Sequence, residues 1–129
     1  MISIQITAFY AALLTLFYIA LAGNVIRKRF KHQVGLGDRG NITVLKAIRV
    51  HGNFGEYIPL ALLLLAMFEI SGGSETSLHV YGVILIVSRI LHAFGLSKSH
   101  KTSPARAIGT CMLFGVLIAL SVVHIINYI

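Results

Sequence analysis

Arg49, Asn53 and Glu56 sit at helical spacing in the stretch KAIRVHGNFGEYIP, residues 46–59. On a helix, positions three and four apart share a face. With Arg49 taken as zero, Lys46 falls at about +60°, Asn53 at about +40° and Glu56 at about −20°, whereas His51 falls almost opposite, at about 200°. A cation pair, an amide and a carboxylate therefore form one polar stripe. Arg89 and His92 share a second helical face, and Arg106 opens a third segment. If these meet at one depth, several guanidinium groups surround the single carboxylate of Glu56. That excess of positive charge suits an anionic ligand, and one bearing carboxylates fits a guanidinium fork.

Each of these groups also has a plainer reading. Glu56 either pairs with an arginine to hold helices together or receives a ligand. Arg49 either faces a site or snorkels to lipid headgroups. Arg106 is either a ligand contact or a charge anchor, and His51 and His92 are either packing residues or ligand contacts. No metal centre is expected, because Glu56 is the sole acid near the histidines and their spacing does not repeat. Cys111 is the lone cysteine, in an apolar run, and reads as a small core residue.

The elements that carry these groups are membrane helices. Of 129 residues, 57% are hydrophobic and only 12% are charged, with a mean hydropathy of +0.85. A water-soluble domain of this size needs more polar surface. The chain reads as an all-α integral membrane protein, a single domain over residues 1–129. Four spans are expected at about Ile4–Ile26, Ile42–Ile70, Ser77–Leu96 and Pro104–Asn127. Asn41 or Thr43 caps the second, and Ser103 with Pro104 starts the fourth. Pro59 lies inside the second span, and Gly55, four residues earlier, relieves the crowding, so a kink is expected there.

The net charge is +7, and its placement argues for topology, not for nucleic acid. Arg27, Lys28, Arg29, Lys31, Arg39, Lys46 and Arg49 flank the first loop, and Arg89, Lys98, Lys101 and Arg106 flank the third. The middle loop carries Glu69 and Glu75 and no Lys or Arg. By the positive-inside rule, loops one and three are cytoplasmic and both termini lie outside. The apolar start of the chain has no preceding positive charge and is followed by RKRFKH, the wrong polarity for a cleaved signal, so it reads as a retained span.

RVHGNFGEYIP resembles the signature of the MAPEG family, the membrane-associated proteins of eicosanoid and glutathione metabolism. The pattern falls on Arg49, His51, Asn53, Glu56 and Pro59. GLGDRGN is similar to the glycine-rich first loop of bacterial members, SRILH to the Arg/His segment of the third helix, and Arg106 to an arginine that opens the fourth. The resemblance extends over essentially the whole chain and is strongest to small bacterial inner-membrane members. It implies a homotrimer of four-helix subunits embedded in the lipid bilayer, with glutathione bound between subunits on the cytoplasmic side.

Carried over residue by residue, the resemblance implies that Asn53 and Glu56 hold the tripeptide's amino end. Arg27, Arg49 and Arg89 would hold its carboxylates, with His51 and His92 also at the site. Arg106 would stabilise the thiolate. Asp38, in the first loop, is spaced from Arg27 like an acidic loop residue of some members. The implied activity is attack of that thiolate on a lipophilic electrophile or hydroperoxide, a transferase or peroxidase reaction. Leu96 and Thr110 stand where some members have tyrosine, and Phe94 is the residue placed to replace the lost packing. The family also includes members without an enzymatic role. The second reading is accordingly a scaffold or adaptor whose polar stripe is interhelical glue.

Overall fold

The computed structural model describes residues 4–98 and 103–129. Lys101, assigned above to the third basic loop, lies outside them. The described residues form four helices and no strand: α1 (Gln5–His32), α2 (Ile42–Ile70), α3 (Glu75–Lys98) and α4 (Pro104–Tyr128). Each is long and apolar enough to cross a membrane. The four-span reading therefore holds, and the differences lie at the ends.

α1 runs through RKRFKH to His32 instead of ending near Ile26. Arg and Lys are good helix formers, so leaving the apolar core does not end the helix. Gln33 ends it, in the left-handed conformation at φ 55°, with the Val34 N–H returning to the Arg29 carbonyl at 3.0 Å. Arg29, Lys31 and His32 in the last turn complement the helix dipole. α2 has the expected bounds, and the cap is Asn41, not Thr43: its Oδ1 accepts from the Thr43 and Val44 N–H groups at 3.0 and 3.1 Å. Ser103 caps α4 by accepting from the Arg106 N–H at 3.3 Å, with Pro104 in the first turn.

α2 continues unbroken through Pro59. Gly55 serves a second purpose besides relieving the proline: a Cβ there would lie 3.2 Å from the Tyr18 hydroxyl of α1. α1 begins with no side-chain cap of its own. Glu69, at the far end of α2, supplies one, accepting from the Ile6 and Thr7 N–H groups at 3.0 and 2.7 Å. A carboxylate at a helix N-terminus is stabilised by the dipole. Read from sequence, Glu69 was only part of a loop lacking cations; in the fold it bolts α1 to α2.

The core follows helical spacing. Phe54, Ile58, Ala61 and Leu65 of α2 meet Leu78 and Leu85 of α3, Leu113, Val116 and Leu120 of α4, and Leu14 of α1. α3 is the most enclosed helix, packing closely on α4. Two glycines permit that approach. A Cβ on Gly109 would sit 2.5 Å from the Ser88 carbonyl oxygen, and one on Gly95 would sit 2.5 Å from the Arg106 backbone nitrogen. Backbone cannot yield as a side-chain tip does. Gly109→Ala is therefore expected to destabilise the protein by about 1–3 kcal/mol, as overpacking does. Gly115, with nothing within 4 Å of a Cβ, should accept Ala with little change. Melting in detergent compares the two; equal midpoints would contradict the close α3–α4 contact.

Candidate functional site

The C-terminal ends of α1 and α3 and the N-terminal ends of α2 and α4 gather most of the cations at one end of the bundle. Arg89, in α3, is the most deeply placed, with 2% exposure. Its Nη1 donates to Asn53 Oδ1 of α2 at 2.8 Å, and its Nη2 donates to the Gly109 carbonyl of α4 at 3.4 Å. Its Nε reaches Ser88 Oγ at 3.3 Å. One guanidinium thus joins three helices. Its planar fork suits it to this, where lysine would offer one point. With three of its five N–H groups given to protein acceptors, and not itself among the residues lining the cavity that Asn53 lines, Arg89 supports the site from behind.

The bond to Arg89 also orients Asn53. A guanidinium can only donate, so the amide oxygen must face it and the amide NH₂ is left to donate elsewhere. Asn53 lines a cavity of about 200 Å³ together with Lys46 and Arg49 of α2, His92 of α3 and Arg106 of α4. Among the described residues, Ile42, Leu45 and Leu96 add an apolar part to its wall. Arg106 sits in the first turn of α4, whose Ser103 cap leaves a positive dipole end nearby. No carboxylate lines the cavity. Glu56 stands one helical turn beyond Asn53, with its Oε1 at 3.6 Å from Arg49 Nη1. Both side chains of that pair are about half exposed, at 55% and 50%. The arrangement is a small polar chamber rich in donors, built to receive negative charge.

The expected site residues fall into two groups. Arg49, Asn53, His92 and Arg106 line the chamber, Glu56 pairs with one of them, and Arg89 fixes another. His51, Arg27 and Asp38 are placed elsewhere. His51 stacks on Tyr18 of α1, with ring centroids 4.4 Å apart and planes 15° from parallel, as its opposite angular position implied. Arg27 bonds Asn24 Oδ1 at 3.1 Å and lines a separate cavity. Asp38 turns the loop before α2: its Oδ1 accepts from the Gly40 N–H at 2.8 Å and its carbonyl from the Asn41 N–H at 2.9 Å.

Lys46 belongs to the chamber and was visible in the helical arc, yet it was not among the expected ligand contacts. The Gly109 carbonyl was not legible at all, since its role depends on how closely α4 approaches. Where some family members have tyrosine, Leu96 gives the chamber an apolar wall. Thr110 turns its hydroxyl back to the Arg106 carbonyl at 3.0 Å. Phe94 does not replace the lost packing: it is 54% exposed, and Lys98 Nζ lies 4.2 Å from its ring centroid.

Arg89→Leu is expected to leave Asn53 Oδ1 unpaired and to remove the second, longer bond to the helical Gly109 carbonyl, at a cost of about 1–3 kcal/mol, mainly for the amide. Arg106→Leu removes no side-chain hydrogen bond to the described residues, so its melting midpoint in detergent should stay near that of the unaltered protein. The reverse order of midpoints would refute the division between a supporting and a site-facing arginine.

The MAPEG family matches residues 7–126 of the chain. The inner membrane protein YecN of Escherichia coli strain K12 is 36% identical over 91 residues, 70% of each chain. YecN of Escherichia coli O6:H1 matches to the same extent. No solved structure matches. The helix-two polar stripe, the four spans and these similarities agree: the chain belongs to the MAPEG family.

Proposed function

We propose that this protein binds glutathione in the chamber of Lys46, Arg49, Asn53, His92 and Arg106, and activates its thiol for transfer to a lipophilic electrophile or for reduction of a hydroperoxide. The family includes glutathione-dependent transferases and peroxidases. The observation that carries the reading is the convergence of three cations from α2 and α4 on a cavity lined by no carboxylate. Lys46 and Arg49 are placed to receive the tripeptide's carboxylates. The free donors of Asn53, with Glu56, are placed to receive its amino end. Arg106 and the α4 N-terminus offer positive charge to the sulfur, and both favour thiolate over thiol.

The thiolate then attacks an electrophilic carbon, expelling a leaving group, or the terminal oxygen of a hydroperoxide: the O–O bond breaks, the alkoxide takes a proton and leaves as alcohol, and a second glutathione condenses with the glutathione sulfenic acid to give the disulfide and water. No tyrosine occupies Leu96 or Thr110, so stabilisation of the sulfur rests on Arg106. The second substrate, being lipophilic, enters from the bilayer and packs against the apolar side chains of Ile42, Leu45 and Leu96. A homotrimer is part of this proposal. Lipid cannot solvate a half-exposed Arg49–Glu56 pair on a membrane helix without cost. A neighbouring copy covering that stripe removes the cost. The basic end is placed in the cytoplasm on the positive-inside rule, and the membrane is the bacterial inner membrane, as for YecN.

The adaptor reading has one observation in its favour: Arg89 uses its polar groups to join helices. The two readings separate in one experiment on purified protein. The enzymatic reading expects Arg106→Ala to lower kcat/KM for glutathione conjugation of an aryl halide at least tenfold, with unchanged oligomer size. It expects Glu56→Gln to weaken glutathione binding in an intact oligomer. The adaptor reading expects no conjugation in any form, and an oligomer that falls apart in Glu56→Gln. Conjugation by Arg106→Ala at the rate of the unaltered protein would refute the mechanism.

A further inference from the structure

A second cavity, of about 270 Å³, opens at the same end of the bundle between α1, α2 and α3. Asn24, Arg27 and Lys28 line it from α1, Thr43 and Lys46 from α2, and Ser97 from α3. We infer that it is a separate binding site for a phosphate group, filled by the headgroup of an anionic membrane lipid or by soluble phosphate. The inference does not depend on glutathione chemistry.

Charge accounting comes first. The chain has four carboxylate side chains, and each is committed elsewhere. Asp38 accepts from the Gly40 N–H, Glu56 pairs with Arg49, and Glu69 caps α1. Glu75 lies in the first turn of α3, at the opposite end from Ser97. Arg27, Lys28 and Lys46 therefore face one cavity with no acid to neutralise them. Three cations drawn together without a counter-ion repel one another, and an anion relieves that repulsion.

The neutral groups are also arranged to donate. Arg27 Nη2 holds Asn24 Oδ1 at 3.1 Å, which leaves the Asn24 NH₂ free to donate. The hydroxyls of Thr43 and Ser97 approach from two other helices. The backbone N–H groups of Thr43 and Val44 are already taken by Asn41, so the site rests on side chains, not on a bare helix end. Donors from three directions match a tetrahedral anion better than a planar carboxylate, and lysines are established phosphate binders. Depth agrees: Arg27 and Lys28 are the first cations after the apolar part of α1 ends at Ile26, the level of lipid headgroups. Basic pockets between membrane helices at this level bind anionic headgroups. Lys46 lines both cavities, so an anion in one reduces the positive potential in the other.

The test is native mass spectrometry of the whole protein in neutral detergent, titrated with phosphatidylglycerol and, separately, with phosphatidylcholine. Saturable retention of phosphatidylglycerol is expected, with apparent affinity reduced at least tenfold in the double variant Arg27→Gln/Lys28→Gln. The double variant Lys31→Gln/Arg39→Gln removes the same charge outside the cavity and should bind as the unaltered protein does. Ser97→Glu, which keeps all the cations but adds a carboxylate, should also lose binding. If millimolar inorganic phosphate displaces the lipid and raises the melting midpoint of lipid-free protein, soluble phosphate is the occupant; if only the lipid binds, the occupant is a headgroup. Equal phosphatidylglycerol affinity in the cavity and control variants, or preference for neither lipid with no response to phosphate, would overturn the inference.

Discussion

The buried guanidinium of Arg89 is the interaction around which the polar end of this protein is organised. A charged group at membrane depth must find partners within the protein, because lipid offers none. Arg89 finds an amide oxygen on α2, a hydroxyl on its own helix and a carbonyl on α4. No carboxylate is involved, so its charge is not cancelled but spread over dipoles. That choice leaves Glu56 to Arg49, which also lines the chamber. It also requires α4 to come close to α3, which the absence of a Cβ at Gly109 and Gly95 allows. Remove the glycines and the carbonyl is out of reach; remove the arginine and Asn53 loses its orientation.

The two ends of the bundle solve the same problem differently. At the far end, Glu69 satisfies the first N–H groups of α1, and the Tyr10 hydroxyl meets His79 Nδ1 at 3.0 Å. These contacts use up the polar groups that make them. At the basic end, the supply of cations exceeds the supply of acids, and the surplus lines cavities instead of pairing. This asymmetry separates a structural end from a receptive one. It is the physical basis for placing ligand chemistry where Lys46, Arg49 and Arg106 converge.

Local chemistry was legible in the sequence, and tertiary proximity was not. Asn41 and the Ser103–Pro104 pair announced their helix starts because capping depends on residue type alone. The placement of His51 away from the chamber, against α1, followed from helical periodicity. The end of α1 was missed because RKRFKH contains no helix breaker, and the stop lies in the left-handed Gln33. Arg89 and Arg106 looked equivalent as cations at one depth. Only the close approach of α4 makes one a tie and leaves the other facing the chamber. Arg27 was grouped with them by resemblance to a site between subunits, and within one subunit it lines a second cavity.

The central claim is that Arg106, and not Arg89, presents its charge to a bound thiol. Ultraviolet difference absorbance of the detergent-purified protein, titrated with glutathione near neutral pH, tests it most directly. A saturable thiolate band that disappears in Arg106→Ala, while the oligomer remains intact, is the result predicted here. Absence of any band in the unaltered protein, or a band undiminished in Arg106→Ala, would contradict it.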